Sequence, residues 1–167
     1  MKINFLWSLF FIILIFVVGF FLVKPSSSSV KLEPIEIPKT IQPATNIKFV
    51  KLAGVDIKVD LALTPAEQNQ GLSGRTSLNG DEGMLFIFDL PGKYAFWMKD
   101  MNFPIDMIWL GEDMKVVYIK KNALPKNYPE TYQPGKADGD AKYVLEVVSG
   151  FSDKNNLKVG DSAEFTY

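Results

Sequence analysis

Neither cysteine nor histidine occurs anywhere in the 167 residues, and those two absences remove much of the usual chemistry. Without cysteine there are no disulfides, thiolate metal sites or thiol nucleophiles, and no lipobox for lipid attachment. Without histidine there is no Ser-His-Asp triad, no imidazole base and no histidine-held zinc or copper. Arginine is almost missing as well: 17 of the 18 basic residues are lysine, and Arg75 stands alone. Against that background a single arginine suggests a place that needs a planar, two-pronged donor. An excess of one charge is lacking too. Net charge is −1, and residues 46 to 167 carry 14 basic against 17 acidic side chains. That balance leaves no basic footprint for nucleic acid.

What is present falls into three parts. Residues 3 to 23, INFLWSLFFIILIFVVGFFLV, are apolar all round, broken only by Asn4, Ser8 and Gly19. At ~1.5 Å per residue a helix of this length reaches roughly 32 Å, enough to cross the hydrocarbon core of a bilayer. A cleaved signal peptide is the rival reading. Its apolar region is normally shorter, however, and no A-x-A site follows, Ser26 and Ser28 being weak substitutes. The run is therefore read as a retained transmembrane anchor with the lipid bilayer as its partner. Lys2 on one side is nearly balanced by Lys24, Lys31 and Lys39 on the other, so flanking charge decides little. A very short tail, an apolar helix and a long domain together suggest a signal anchor that leaves the domain outside the cytoplasm. Residues 24 to 45 hold four prolines and a run of four serines, the composition of an extended tether.

From Asn46 to Tyr167 the pattern changes to short strands. In "VDIKVDLAL", 55 to 63, Val55, Ile57, Val59, Leu61 and Leu63 alternate with polar residues, giving one buried and one wet face. "TPAEQNQGL" follows, with Thr64 as N-cap, Pro65 at the first helical position, Glu67 completing a capping box and Gly71 as stop. "NGDEG" and "DLPGK" read as turns before "MLFIF" and "YAFWM". "MIWLGEDMKVVYIK" reads as a hairpin, residues 121 to 139 as a long surface loop, and "KYVLEVV" and "SAEFTY" as closing strands. The expected fold is mainly β: a compact antiparallel sandwich or barrel with one short capped helix, preceded by a single N-terminal transmembrane helix.

Five stretches in order, "GLSGR", "DEGMLFIF", "FWMKDMNFPIDMIWL", "YVLEVVSG" and the late "VGD", resemble the bacterial and archaeal family known as domain of unknown function 192. The resemblance covers about residues 47 to 167. It implies a compact, mainly β domain, often exported or anchored by an N-terminal apolar segment, with no activity attached to it. Two departures stand out. The family's usual "GLM" reads "GLS", with Ser73 in the methionine place, and its usual "MKNT" reads "MKDM", bringing in Asp100 and Met101.

"FWMKDMNFPIDMIWL", residues 96 to 110, keeps Lys99, Asp100 and Asp106 among two tryptophans and three methionines. One reading makes these apolar residues plain core. A second lines a cleft that binds a small molecule, glycan or peptide against an aromatic wall. A third has Met98, Met101 and Met107 hold Cu(I) through sulfur. Asp106 heads the apolar row Ile108 and Leu110, and Glu146 interrupts the row of Val144 and Val148. Buried carboxylates are costly unless paired, and Arg75 and Lys99 are candidate partners. The candidate ligand-binding set is thus Arg75, Lys99, Asp106 and Glu146, with Trp97 as the aromatic. No catalytic residue, cofactor or metal is assigned, and "DGD" at 138 to 140 reads as a solvated turn rather than a calcium loop. The expectation is a non-catalytic, membrane-anchored envelope module that binds a ligand or partner. The alternative is a carboxylate-dependent hydrolase of cell-surface polymers, and Met-based Cu(I) binding comes behind both.

Overall fold

A computed structural model describes residues 46–167; the expected anchor, 3–23, and tether, 24–45, lie outside the described residues. The strands are β1 (Phe49–Leu52), β2 (Val55–Ala62), β3 (Glu82–Gly92), β4 (Phe96–Trp97), β5 (Ile105–Leu110), β6 (Val116–Ala123), β7 (Thr131–Tyr132), β8 (Ala141–Val148) and β9 (Ala163–Thr166). Helix α1 is Pro65–Gln70 and the single turn α2 is Phe151–Lys154. Seven strands form one sheet in the order β6-β5-β8-β3-β2-β1-β9, and β4 pairs with β7 in a separate ribbon. All neighbours are antiparallel except β2 and β3. Parallel neighbours need a crossover, and the α1 segment supplies it.

The expected sandwich or barrel takes the form of a single sheet curled into a half-barrel. At one end its two edges are stitched together: the Val116 N–H donates to the Asp161 carbonyl at 2.8 Å, and the Ala163 N–H to that of Met114 at 2.9 Å. At the far edge Phe49 pairs with Thr166, so the chain enters and leaves the domain side by side.

Strict alternation would give a sheet wet on one face, but β5 is buried at every position. Val50, Ile57, Leu85, Ile108, Leu145 and Val147 fill the core enclosed by the curl, with Phe151 and Leu157 closing it. Met84, Phe86, Met107, Trp109 and Val144 face the other way, into a second core covered by Leu72, Met98 and Tyr132. Burying a large side chain contributes roughly 1.5–3 kcal/mol, so covering both faces makes the middle strands the fold's main anchor.

Three boundaries differ from expectation. β3 runs on through "DLPG", and its pairing with β8 lapses between Ile87 and Gly92. Pro91, which cannot donate to a ladder, lies in that lapse. The stretch 121 to 139 holds the end of β6, a 3-10 turn (Pro125–Asn127) and β7 instead of continuous loop. "YAFWM" yields only the two-residue β4. Among the described residues no helix is long and apolar enough to cross a membrane.

Candidate functional site: an aromatic pocket over a buried carboxyl group

The site begins with the capping box. The Thr64 hydroxyl accepts the Glu67 N–H at 3.3 Å, and the Glu67 carboxylate accepts the Thr64 N–H at 2.8 Å. The Leu63 N–H donates to the same carboxylate at 2.9 Å, and the Thr64 and Leu63 donors together hold Glu67 below its ordinary range, since both favour its charged form. Helix α1 is pinned sideways as well: Gln68 Nε2 donates to the Ile87 carbonyl at 2.9 Å. After it, Gly71 turns at φ +51, and a β-carbon there would sit 3.2 Å from the Phe86 ring and 3.7 Å from Glu146 Oε2. A bare backbone is what lets the chain come down on that ring and that carboxyl group.

Two motifs then lock together. Ser73 Oγ donates to the Lys99 carbonyl at 2.7 Å, the Gly74 N–H to that of Asp100 at 2.9 Å, and Asn102 Nδ2 to that of Arg75 at 2.8 Å. "GLSGR" and "MKDMN" are thus one framework. The serine that replaces the usual methionine supplies one of its bonds. Asp100 sits at φ +54, a left-handed conformation that Asn and Asp both tolerate, so "D" for "N" keeps the backbone.

The facing wall is aromatic. Buried Trp109 donates its indole N–H to the Tyr94 carbonyl at 2.9 Å, which ties the β3–β4 connection to β5. Tyr94 stacks on Phe88 at 3.5 Å, and Phe96 meets Phe86 edge-on at 4.8 Å. Between this wall and α1 lies a cavity of about 250 Å³, also lined by Leu72, Ser73, Trp97, Met101 and Glu146.

Glu146 is 4% exposed, and its Oε2 has no hydrogen-bond partner. Burial pushes its carboxyl group up to about 8, while the positive charge of Arg75 pulls weakly the other way. At neutral pH it is therefore a neutral acid, able to donate a hydrogen bond. It is also the one carboxyl group among the lining residues.

The five candidate residues part company here. Glu146 and Trp97 both line the pocket, Trp97 being 41% exposed. Arg75 lies within electrostatic reach of Glu146 but donates instead, through Nη2 alone, to Asp60 Oδ2 at 2.8 Å. Lys99 is exposed, and its backbone rather than its ammonium enters the framework. Asp106 is on the opposite face of the sheet. It opposes Val147 in the β5–β8 register while Glu146 opposes Met107. Its carboxylate accepts the N–H groups of Asn122, Gly150 and Ser152 at 2.8, 3.2 and 2.8 Å, which ties β6 and α2 to β5. The idea that all four charges meet at one site is thereby corrected.

Sequence reasoning missed Tyr94, Phe86, Phe88 and the α1 glutamines as pocket walls. "TPAEQNQGL" signalled a helix, but nothing in it says which surface the helix covers. The Cu(I) trio is also placed: Met98 and Met107 are buried in the second core, with Met101 against it. At "DGD" the Lys93 ammonium reaches the carbonyls of Asp138 and Gly139 and the carboxylate of Asp140, filling with a cation of the chain the place a metal would need. Among the described residues no group of three carboxylates could hold a metal ion.

Comparison with other proteins bears on the fold. A protein of unknown function from Novosphingobium aromaticivorans DSM 12444 is similar at 32% identity and TM-score 0.65, covering 75% of this chain and 91% of that one. A Sinorhizobium meliloti 1021 protein, described only provisionally as a transcription regulator, is similar at 30% identity and TM-score 0.63 over 70% of this chain and 92% of that one. No curated protein matches. The family model described as "Uncharacterized ACR" matches residues 48–165, a span that takes in both motifs framing the pocket and all the strands but for the last residue of β9, so the chain belongs to the domain of unknown function 192 family.

Proposed function

We propose that residues 46–167 are a non-catalytic ligand-binding module, carried outside the cytoplasm on an anchor at 3–23 and a tether at 24–45. The observation that carries the binding part is the unpartnered Oε2 of Glu146 on an aromatic-walled cavity. Native proteins rarely leave a buried polar atom unpaired, and Glu146 is a lining residue of the pocket, where a ligand would bring a partner. The uniformly apolar run at 3–23 and the Pro/Ser composition that follows it support the envelope setting.

Hydrolysis of surface polymers is the weaker reading. Glycoside cleavage uses two carboxyl groups about 5–10 Å apart, whereas the pocket offers Glu146 alone among its lining residues. Asp100 and Asp106, the two acids six apart in the sequence, do not supply a pair: Asp100 is exposed and outside the lining, and Asp106 is committed to three backbone donors on the other face.

Ligand-observed NMR of the chain against a library of uncharged small molecules tests binding. Trp97→Ala, at a part-exposed position, should leave the fold intact and weaken genuine hits by roughly tenfold or more, the loss of a stacking aromatic. An empty screen, or hits indifferent to Trp97→Ala, would overturn the reading.

A further inference from the structure

Which ligand chemistry fits follows from what the cavity offers. Its lining includes no lysine or arginine among the described residues, so an anionic ligand would be desolvated without a counter-charge. Two of the charged groups on this face of the sheet are already engaged, and Lys58 of β2, exposed, lies outside the lining. Arg75 is held by Asp60 of β2, and Lys120 of β6 lies over the Tyr132 ring at 4.2 Å. The β3–β4 connection carries Lys93, which is committed to Asp140 and stays outside the lining, and Tyr94, whose hydroxyl donates to the Leu90 carbonyl at 2.6 Å. The polar lining side chains of α1 are the amides Gln68, Asn69 and Gln70; Gln68 and Gln70 direct Nε2 to the carbonyls of Ile87 and Ser73 at 2.9 Å each, and their side-chain oxygens are acceptors. The floor is an acid that donates, the rim accepts, and the walls are rings.

We propose that the pocket takes the N-acyl group of an uncharged amino sugar, with the Glu146 carboxyl group donating to the acyl carbonyl. The acyl N–H then meets a glutamine oxygen at the rim, and the methyl group lies against Phe86 and Phe96. Trp97, 41% exposed at the mouth, offers its free face to the sugar ring. A cavity of about 250 Å³ suits an acetamido group and part of one ring, being smaller than pockets for drug-sized ligands. This deepens the binding reading above and rests on it.

The proton makes the assignment testable. A ligand that accepts from the neutral acid binds with constant affinity below the titration of Glu146 near 8 and loses about tenfold per pH unit above it. A cationic ligand would select the carboxylate and show the reverse. Calorimetric titration of the full chain with tri-N-acetylchitotriose, from about pH 6 to pH 10, should show binding that fades on the alkaline side. The de-N-acetylated trimer, a polycation at the acid end of that range, should bind at least about tenfold more weakly there. Glu146→Gln keeps a donor of the same shape, so it should bind at every pH and lose the alkaline decline. Tighter binding of the de-N-acetylated trimer, or affinity that rises with pH, would overturn the proposal. Failure of the N-acetylated trimer while library compounds still bind in a Trp97-dependent way would sink this inference and leave the module reading standing. Failure of both would end both.

Discussion

A carboxyl group that titrates near 8 leaves a mark on stability. Below an ordinary carboxylate pKa of 4.5, Glu146 is neutral in folded and unfolded chains alike; between 4.5 and about 8 only the unfolded chain loses the proton. Stability therefore falls as pH rises through that window and is flat above it, by roughly 4–5 kcal/mol in all. Glu146→Gln should match wild type near pH 4 in urea unfolding and exceed it by several kcal/mol near pH 9. Arg75 and Asp106 should behave unlike each other. Arg75 and Asp60 are 36% and 61% exposed, so Arg75→Ala should cost under ~1 kcal/mol while moving the Glu146 titration further up. Asp106→Ala strands three backbone N–H groups and should cost about 3–5 kcal/mol. Both acids were legible as interruptions of apolar rows. That they sit on opposite faces was not, because it depends on the register between β5 and β8, and a slip of one residue exchanges the faces.

Helix α1 is the element that a few residues define completely. Thr64, Pro65, Glu67 and Gly71 each do locally what their types suggest, and such a signal needs no tertiary context. Thr64→Ala should cost about 1 kcal/mol in thermal or urea unfolding. Because α1 forms one side of the pocket, the same variant should weaken ligand binding as well. The ribbon of β4 and β7 was not legible. Two-residue strands are too short for alternation to appear, and their pairing comes from the motif framework and the Trp109–Tyr94 bond. The extra length of β3 was hidden for a related reason: "DLPG" carries turn chemistry, and only the lapse in pairing lets a strand tolerate it.

For the whole molecule, the mainly β character could be read from patterning, since alternation is plain in stretches such as 55 to 63. The curl could not, because it depends on bonds between strands far apart in sequence. The proposed topology predicts that protease added to intact cells digests the domain; protection until lysis would contradict it. One further consequence comes from the pairing of Phe49 with Thr166 and the 2.8 Å bond from the Lys48 N–H to the Thr166 carbonyl. The order in which strands are threaded along the polypeptide is not what holds them together. Joining Tyr167 to Asn46 with a short glycine linker and reopening the chain between exposed Thr76 and Ser77 would yield a circular permutant with all the same neighbours. It should reach the native topology from new ends, and a sensor protein inserted at that opening would sit in the segment that joins the "GLSGR" motif to β3.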